Sequence, residues 1–191
     1  MLRKSLAAAL MSVFVAGAAF ADPPPASGRA DTQEHAAKLN ETFSVLHAVS
    51  QWSLNLSQMA DKKAKSDLVK NYARTVATTT GTADQKLLSI AQKHGLNVGP
   101  VDPQTEAGKS LLDRSKAETA LLDSLQGDAF DKEYMTLVTN TQQSVIHVLQ
   151  TSKASATDPE VKQFLGDMET TVQNRQKTTQ DIMAKVYGDT I

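Results

Sequence analysis

The sequence contains no cysteine. Disulfides, thiolate metal sites and thiol nucleophiles are therefore excluded, and stability must come from packing alone. A basic excess is also missing: 20 Lys and Arg stand against 21 Asp and Glu. The densest basic stretch, Lys62, Lys63 and Lys65, is balanced by Asp61 and Asp67. It reads as a solvated helix end, and nucleic acid is not an expected partner. Catalytic signatures are absent too. There is no Gly-x-Gly-x-x-Gly, no Gly-Lys-Thr phosphate loop, and no Gly-x-Ser-x-Gly elbow or Ser-x-x-Lys pair in a supporting context. The chain is expected to be neither an enzyme nor the carrier of a cofactor. No window alternates with period two between turn signals, so no sheet is expected.

One apolar run is present, and it lies at the start. Arg3 and Lys4 precede an uncharged stretch from Leu6 to Phe20, and Ala19-Phe20-Ala21 has the small-x-small pattern of a signal peptidase site. Residues 1–21 thus read as a signal peptide cleaved before Asp22, with an uncleaved membrane anchor as the alternative. An apolar run of about 15 residues is short for a span, which needs roughly 20. No later segment is apolar enough to cross a bilayer. The expected location is outside the cytoplasm, in a periplasm. Removing two basic residues leaves 18 against 21, a mature formal charge of −3. Residues 22–30, with Pro23 to Pro25, Ser27 and Gly28, read as an extended, disordered leader. Residues 31–191 read as one helical domain.

From Asp31 the apolar period is helical. Leu39, Phe43, Leu46, Ser50, Ser53, Leu56 and Ala60 form one stripe, and Val69, Tyr72, Val76, Thr80, Ala83, Leu87 and Ile90 a second. Gly95 is a helix stop, and residues 97–103 form a loop. A shorter helix is expected over about 105–125. Asp128 then serves as an N-cap, with Asp131 favouring the helix's positive end. Asp158-Pro159-Glu160 marks the last start: cap, N1 proline, acidic first turn. Its seam is Val161, Phe164, Met168, Val172, Arg175, Thr179, Ile182 and Val186. Four long amphipathic helices with one extra helix in the longest connection predict a four-helix bundle.

Three passages carry a resemblance: residues 68–74 with the helix ending 87–96, residues 128–134 (Asp-Ala-Phe-Asp-Lys-Glu-Tyr), and residues 158–164 (Asp-Pro-Glu-Val-Lys-Gln-Phe). Together they resemble a ferritin-like family of exported bacterial proteins of unknown function, often labelled membrane or outer-membrane proteins. The resemblance implies an all-α, ferritin-like bundle with acidic and histidine side chains projecting inward. The matching positions here are Ser53, Thr79, Thr80, Gln142 and Arg175, none of which keeps the family's ligand type. The residues agree independently. Carboxylate-bridged metal bundles use Glu-x-x-His pairs on one helix face, and no Asp or Glu here has a histidine three residues on. No metal site is expected.

Of the four histidines, His35 lies at the ragged start of the fold, His94 in a last helical turn, and His147 away from the apolar seam. His47 borders the first stripe. Arg175 stands on the core seam, where two arrangements are open. It joins a buried polar cluster with Thr80 and Gln142 and takes Asp84 or Glu118 as counter-ion, or its stem covers apolar surface while the guanidinium reaches the bundle edge. Trp52 and Met59 share a helix face; such a pair is ordinarily core, and if exposed it is the best contact face. The expected function is non-enzymatic, through an unidentified protein or envelope partner. Two alternatives are a metal-binding or redox-protective bundle using His47 with nearby carboxylates, and a carrier of a small apolar ligand.

Overall fold

The computed structural model describes residues 26–188. The expected signal peptide, residues 22–25 and residues 189–191 lie outside them. Five helices follow one another: α1 (Ala26–Lys63), α2 (Asp67–Lys93), α3 (Glu106–Ser124), α4 (Gly127–Ser155) and α5 (Pro159–Tyr187). The described residues contain no strand. Residues 26–30, expected in the extended leader, are helical and open α1.

The helix ends follow local chemistry. Asp158 accepts from the Glu160 and Val161 amides at 2.8 and 3.1 Å, with Pro159 at the first helical position, as a cap-and-proline start requires. The Thr105 hydroxyl caps α3 by accepting from the Gly108 amide at 3.1 Å. Position 108 must be glycine, because a Cβ there would lie 2.1 Å from the Asp102 carbonyl oxygen. Gly95, at φ 66°, ends α2 with its amide on the Gln92 carbonyl and the Leu96 amide on that of Ala91. A left-handed residue closing a helix in this way is the ordinary use of glycine. The expectation for Asp128 is corrected: the N-cap is Gln126, two residues earlier, and α4 starts at Gly127. The positive φ of 59° at Gly127 sets that turn.

Helices α1 and α2 form one hairpin and α4 and α5 another, packed together mainly through α1 against α4. The start of α5, the ends of α2 and α4 and the Phe43–Leu46 stretch of α1 meet at one end of the bundle, around Phe43, Leu87, Ile90, Leu149, Val161 and Phe164. The opposite end collects Leu56, Ala60, Val69, Phe130, Tyr134 and Ile182. Helices α2 and α4 therefore run parallel, and the connection carrying α3 spans the bundle's length. Leu122 of α3 joins the second cluster, fully buried.

The Phe130-Asp131-x-x-Tyr134 passage is core at that second end. Phe130 and Tyr134 are fully buried, with rings stacked 6.3 Å apart. Asp131, expected to act on its own helix dipole, instead reaches across. Its two carboxylate oxygens accept from the Lys65 and Ser66 amides at 2.9 and 2.7 Å. These amides lie in the link that opens α2, so one buried carboxylate ties α4 to the α1–α2 turn.

Candidate functional site

Between the two apolar clusters lies a polar layer, to which each of the four long helices contributes. Ser53 comes from α1, Tyr72 and Thr80 from α2, Gln142 from α4, and Arg175 and Thr179 from α5. All sit on the apolar seams of their helices, where the 3.6-residue period turns them inward. Two small cavities open here, of about 60 and 40 Å³. Ser53, Gln142 and Arg175 line both, and Thr80 lines the larger.

The first half of the layer is a saturated network. The Gln142 amide donates to the Tyr72 hydroxyl at 2.6 Å and to the Thr179 hydroxyl at 3.2 Å. Tyr72 and Thr179 oxygens are 2.8 Å apart. Thr179 in turn donates to the Arg175 carbonyl at 2.9 Å, so the Tyr72 O–H points at Thr179. Burial pushes the Tyr72 phenol above its ordinary pKa, while its bonds with Thr179 and Gln142 pull the other way. The phenol is therefore a neutral hydrogen-bonding group.

The second half is not saturated. Arg175 donates through Nη1 to the Thr80 hydroxyl at 2.8 Å, and its Nε is closed off from solvent without a partner. Burial lowers the guanidinium pKa, with only the Tyr72 phenol opposing it. Neither expected arrangement is met in full: Arg175 is half-buried, bonds to Thr80 and not to Gln142, and has no counter-ion. Asp84 pairs instead with His47 Nδ1 at 2.8 Å and accepts from Gln51 at 2.8 Å. Glu118 pairs with Arg114 at 2.8 Å. Gln142 lines the same cavity as Arg175 but bonds to Tyr72 and Thr179.

The other singled-out residues are placed as follows. Thr79 is half-buried and donates back to the Thr75 carbonyl of its own helix at 2.8 Å, so only Thr80 of the Thr79–Thr80 pair belongs to the layer. Trp52 is buried beneath α3, its indole N–H donating to Thr119 at 3.0 Å. With half-buried Met59 it forms the floor of a shallow groove against α3 and not an open contact face. His147 is exposed. His94 joins two helices, 3.3 Å from Asp158 and 2.9 Å from Glu160 at the start of α5. His35 is exposed at the rim of a pocket at the bundle's first end. Tyr72 and Thr179 were not singled out by the sequence reading as members of the layer. Their signal was present: polar atoms at seam positions otherwise occupied by Val and Ile.

Metal ligation does not fit this layer. Its donors are hydroxyls and one amide, which are weak ligands, and its one charge is a guanidinium, which repels a cation. Among the described residues no three His, Asp or Glu side chains are grouped so as to hold an ion. No described helix is long and apolar enough to cross a membrane.

Two solved structures share this arrangement of helices. A DUF305 protein from Streptomyces coelicolor, described as a candidate secreted protein, superposes with a TM-score of 0.62 at 17% identity, over 79% of this chain and 93% of that one. CopM in its Cu(II)-bound form superposes with a TM-score of 0.62 at 16% identity, over 78% of this chain and 97% of that one. At such identities the likeness is one of fold. No curated protein matches the sequence. The model of a domain of unknown function, DUF4142, matches residues 24–182, and the chain belongs to that family.

Proposed function

We propose that this is an exported, non-enzymatic bundle of ferritin-like topology that works through contact with a protein or envelope partner, its inter-helix layer having lost metal chemistry. One observation carries the reading. Where the resemblance implies inward-facing acids and histidines, the layer holds Ser53, Thr80, Gln142 and a guanidinium bonded to Thr80 at 2.8 Å. The topology supports it: two helix hairpins joined by one crossover along the bundle are the ferritin-like connection. Export is supported by the basic start, apolar run and Ala-x-Ala of residues 1–21, and by the fold shared with a candidate secreted protein.

A second reading rests on His47, whose Nδ1 lies 2.8 Å from Asp84. With the Cu(II)-bound neighbour in mind, these two side chains are the best start of a copper site, although among the described residues no third ligand of that type joins them. An apolar carrier has less support, since the inner cavities of about 60 and 40 Å³ are far below the roughly 300 Å³ of ordinary ligand pockets.

The test is elemental analysis of the mature protein, residues 22–191, after exposure to iron, manganese, zinc and copper and removal of loosely held ions. The expected result is no stoichiometric metal. One equivalent retained, and lost in His47→Ala, would overturn the first reading in favour of the second.

A further inference from the structure

We propose that the centre of the bundle binds a small monovalent anion, of chloride or nitrate size, held by the Arg175 Nε–H together with Ser53, Thr80 and Gln142. The inference goes beyond an interaction role, and its failure would leave that reading intact.

The argument begins with charge. Among the described residues three carboxylates are buried, and each is partnered. Asp131 accepts two backbone amides, Asp84 has His47 and Gln51, and Glu169 has Lys153 and Gln150. Arg175 forms no ion pair. Arg175 is half-buried; a guanidinium stays protonated at any physiological pH, and closing its Nε off from solvent with neither an acceptor nor a counter-charge is costly. The orphaned group is Nε, whose N–H has no acceptor in the protein.

The surroundings match an anion's needs. The larger cavity, about 60 Å³, is lined by Ser50, Ser53, Thr80, Gln142 and Arg175 among apolar side chains, and no carboxylate lines either cavity. It exceeds the roughly 10–15 Å³ that a single water needs. It suits one small ion with a water and leaves no room for a bulky one. The Ser50 and Ser53 hydroxyls make no hydrogen bond within the protein, and Thr80 accepts from Arg175 while directing its own hydrogen to no protein acceptor. A guanidinium N–H and several uncommitted O–H donors therefore converge on one space, with no acidic group to repel a negative charge. Charge-assisted donors of this kind are the stronger hydrogen bonds. A divalent oxyanion would leave one charge uncompensated and is excluded on balance as well as size.

The experiment is thermal unfolding of the purified protein at constant ionic strength, in sodium chloride, bromide or nitrate against sodium sulfate. The expected result is a melting temperature higher by about 5–10 °C in the monovalent salts when the ion is near a hundredfold its dissociation constant. That anion-specific rise should be lost in Arg175→Met. Should that variant fail to fold, wild-type crystals soaked in sodium bromide decide the matter by anomalous scattering. A bromide peak within hydrogen-bond reach of Arg175 Nε supports the site, whereas water alone in the cavity overturns it. An equal salt response in wild type and Arg175→Met, or none in either, would also overturn it.

Discussion

A buried carboxylate and a half-buried guanidinium are handled differently at the base and in the middle of this bundle. At the base, both oxygens of the Asp131 carboxylate are used by the Lys65 and Ser66 amides. In the middle, the Arg175 guanidinium makes one protein hydrogen bond and leaves Nε unpaired. The contrast separates a charge that holds the fold from one that the fold merely contains. A saturated carboxylate bridging two elements is costly to remove, because its partners are left stranded. An unsaturated guanidinium is a charge the fold can lose without loss of stability.

The sharpest break of this comparison is Asp131→Ala. It should cost about 3 kcal/mol in chemical denaturation, since two charge-assisted hydrogen bonds vanish and two amides lose their acceptors. A loss below about 1 kcal/mol would mean that water replaces the carboxylate, and the contrast would fail. Tyr72→Phe should cost about 1 kcal/mol by the same measurement, because Gln142 and Thr179 lose a shared partner but keep each other. Arg175→Met, in buffer free of small monovalent anions, should change stability by less than about 1 kcal/mol in either direction. A cost as large as that of Asp131→Ala would make Arg175 a structural residue.

The smallest effect belongs to the surface. Bonds from Lys93 and then His94 hold the Glu160 carboxyl below its ordinary value of 4.5. A carboxylate with a depressed folded pKa stabilises the protein above its unfolded value, and that contribution is lost as pH falls through the lowered folded value. Wild type should thus lose stability as pH drops below 4.5, and Glu160→Gln should show a shallower acid limb in thermal melts. Parallel acid limbs would remove Glu160 from the account.

The helices were legible because their signals are local. Asp158-Pro159-Glu160, Gly95 and the apolar stripes of α2 and α5 each set a start, a stop or a face without reference to distant residues. The reach of Asp131 was not legible, because its partners lie 65 and 66 positions away and are backbone amides that carry no sequence signature. The exchange of Asp84 from Arg175 to His47 was hidden for a related reason. Spacing places these residues near one level of the bundle, but only the rotation of α1 against α2 decides which side chain Asp84 meets. Trp52 depended likewise on where α3 lies, and α3 sits in a connection whose path no periodicity dictates. Arg175 itself stood out on its seam; whether it carried a counter-ion was a question of packing.

The most direct test of the central claim, a polar layer that excludes metal, is an NMR titration of the labelled protein with Cu(II). The Arg175 Nε–H, the Gln142 side-chain amide and the Thr80 resonances report on the layer from three helices. The account predicts that one equivalent of Cu(II) leaves all three unbroadened. Their selective loss at one equivalent, with the rest of the spectrum intact, would place the ion in the layer and contradict it.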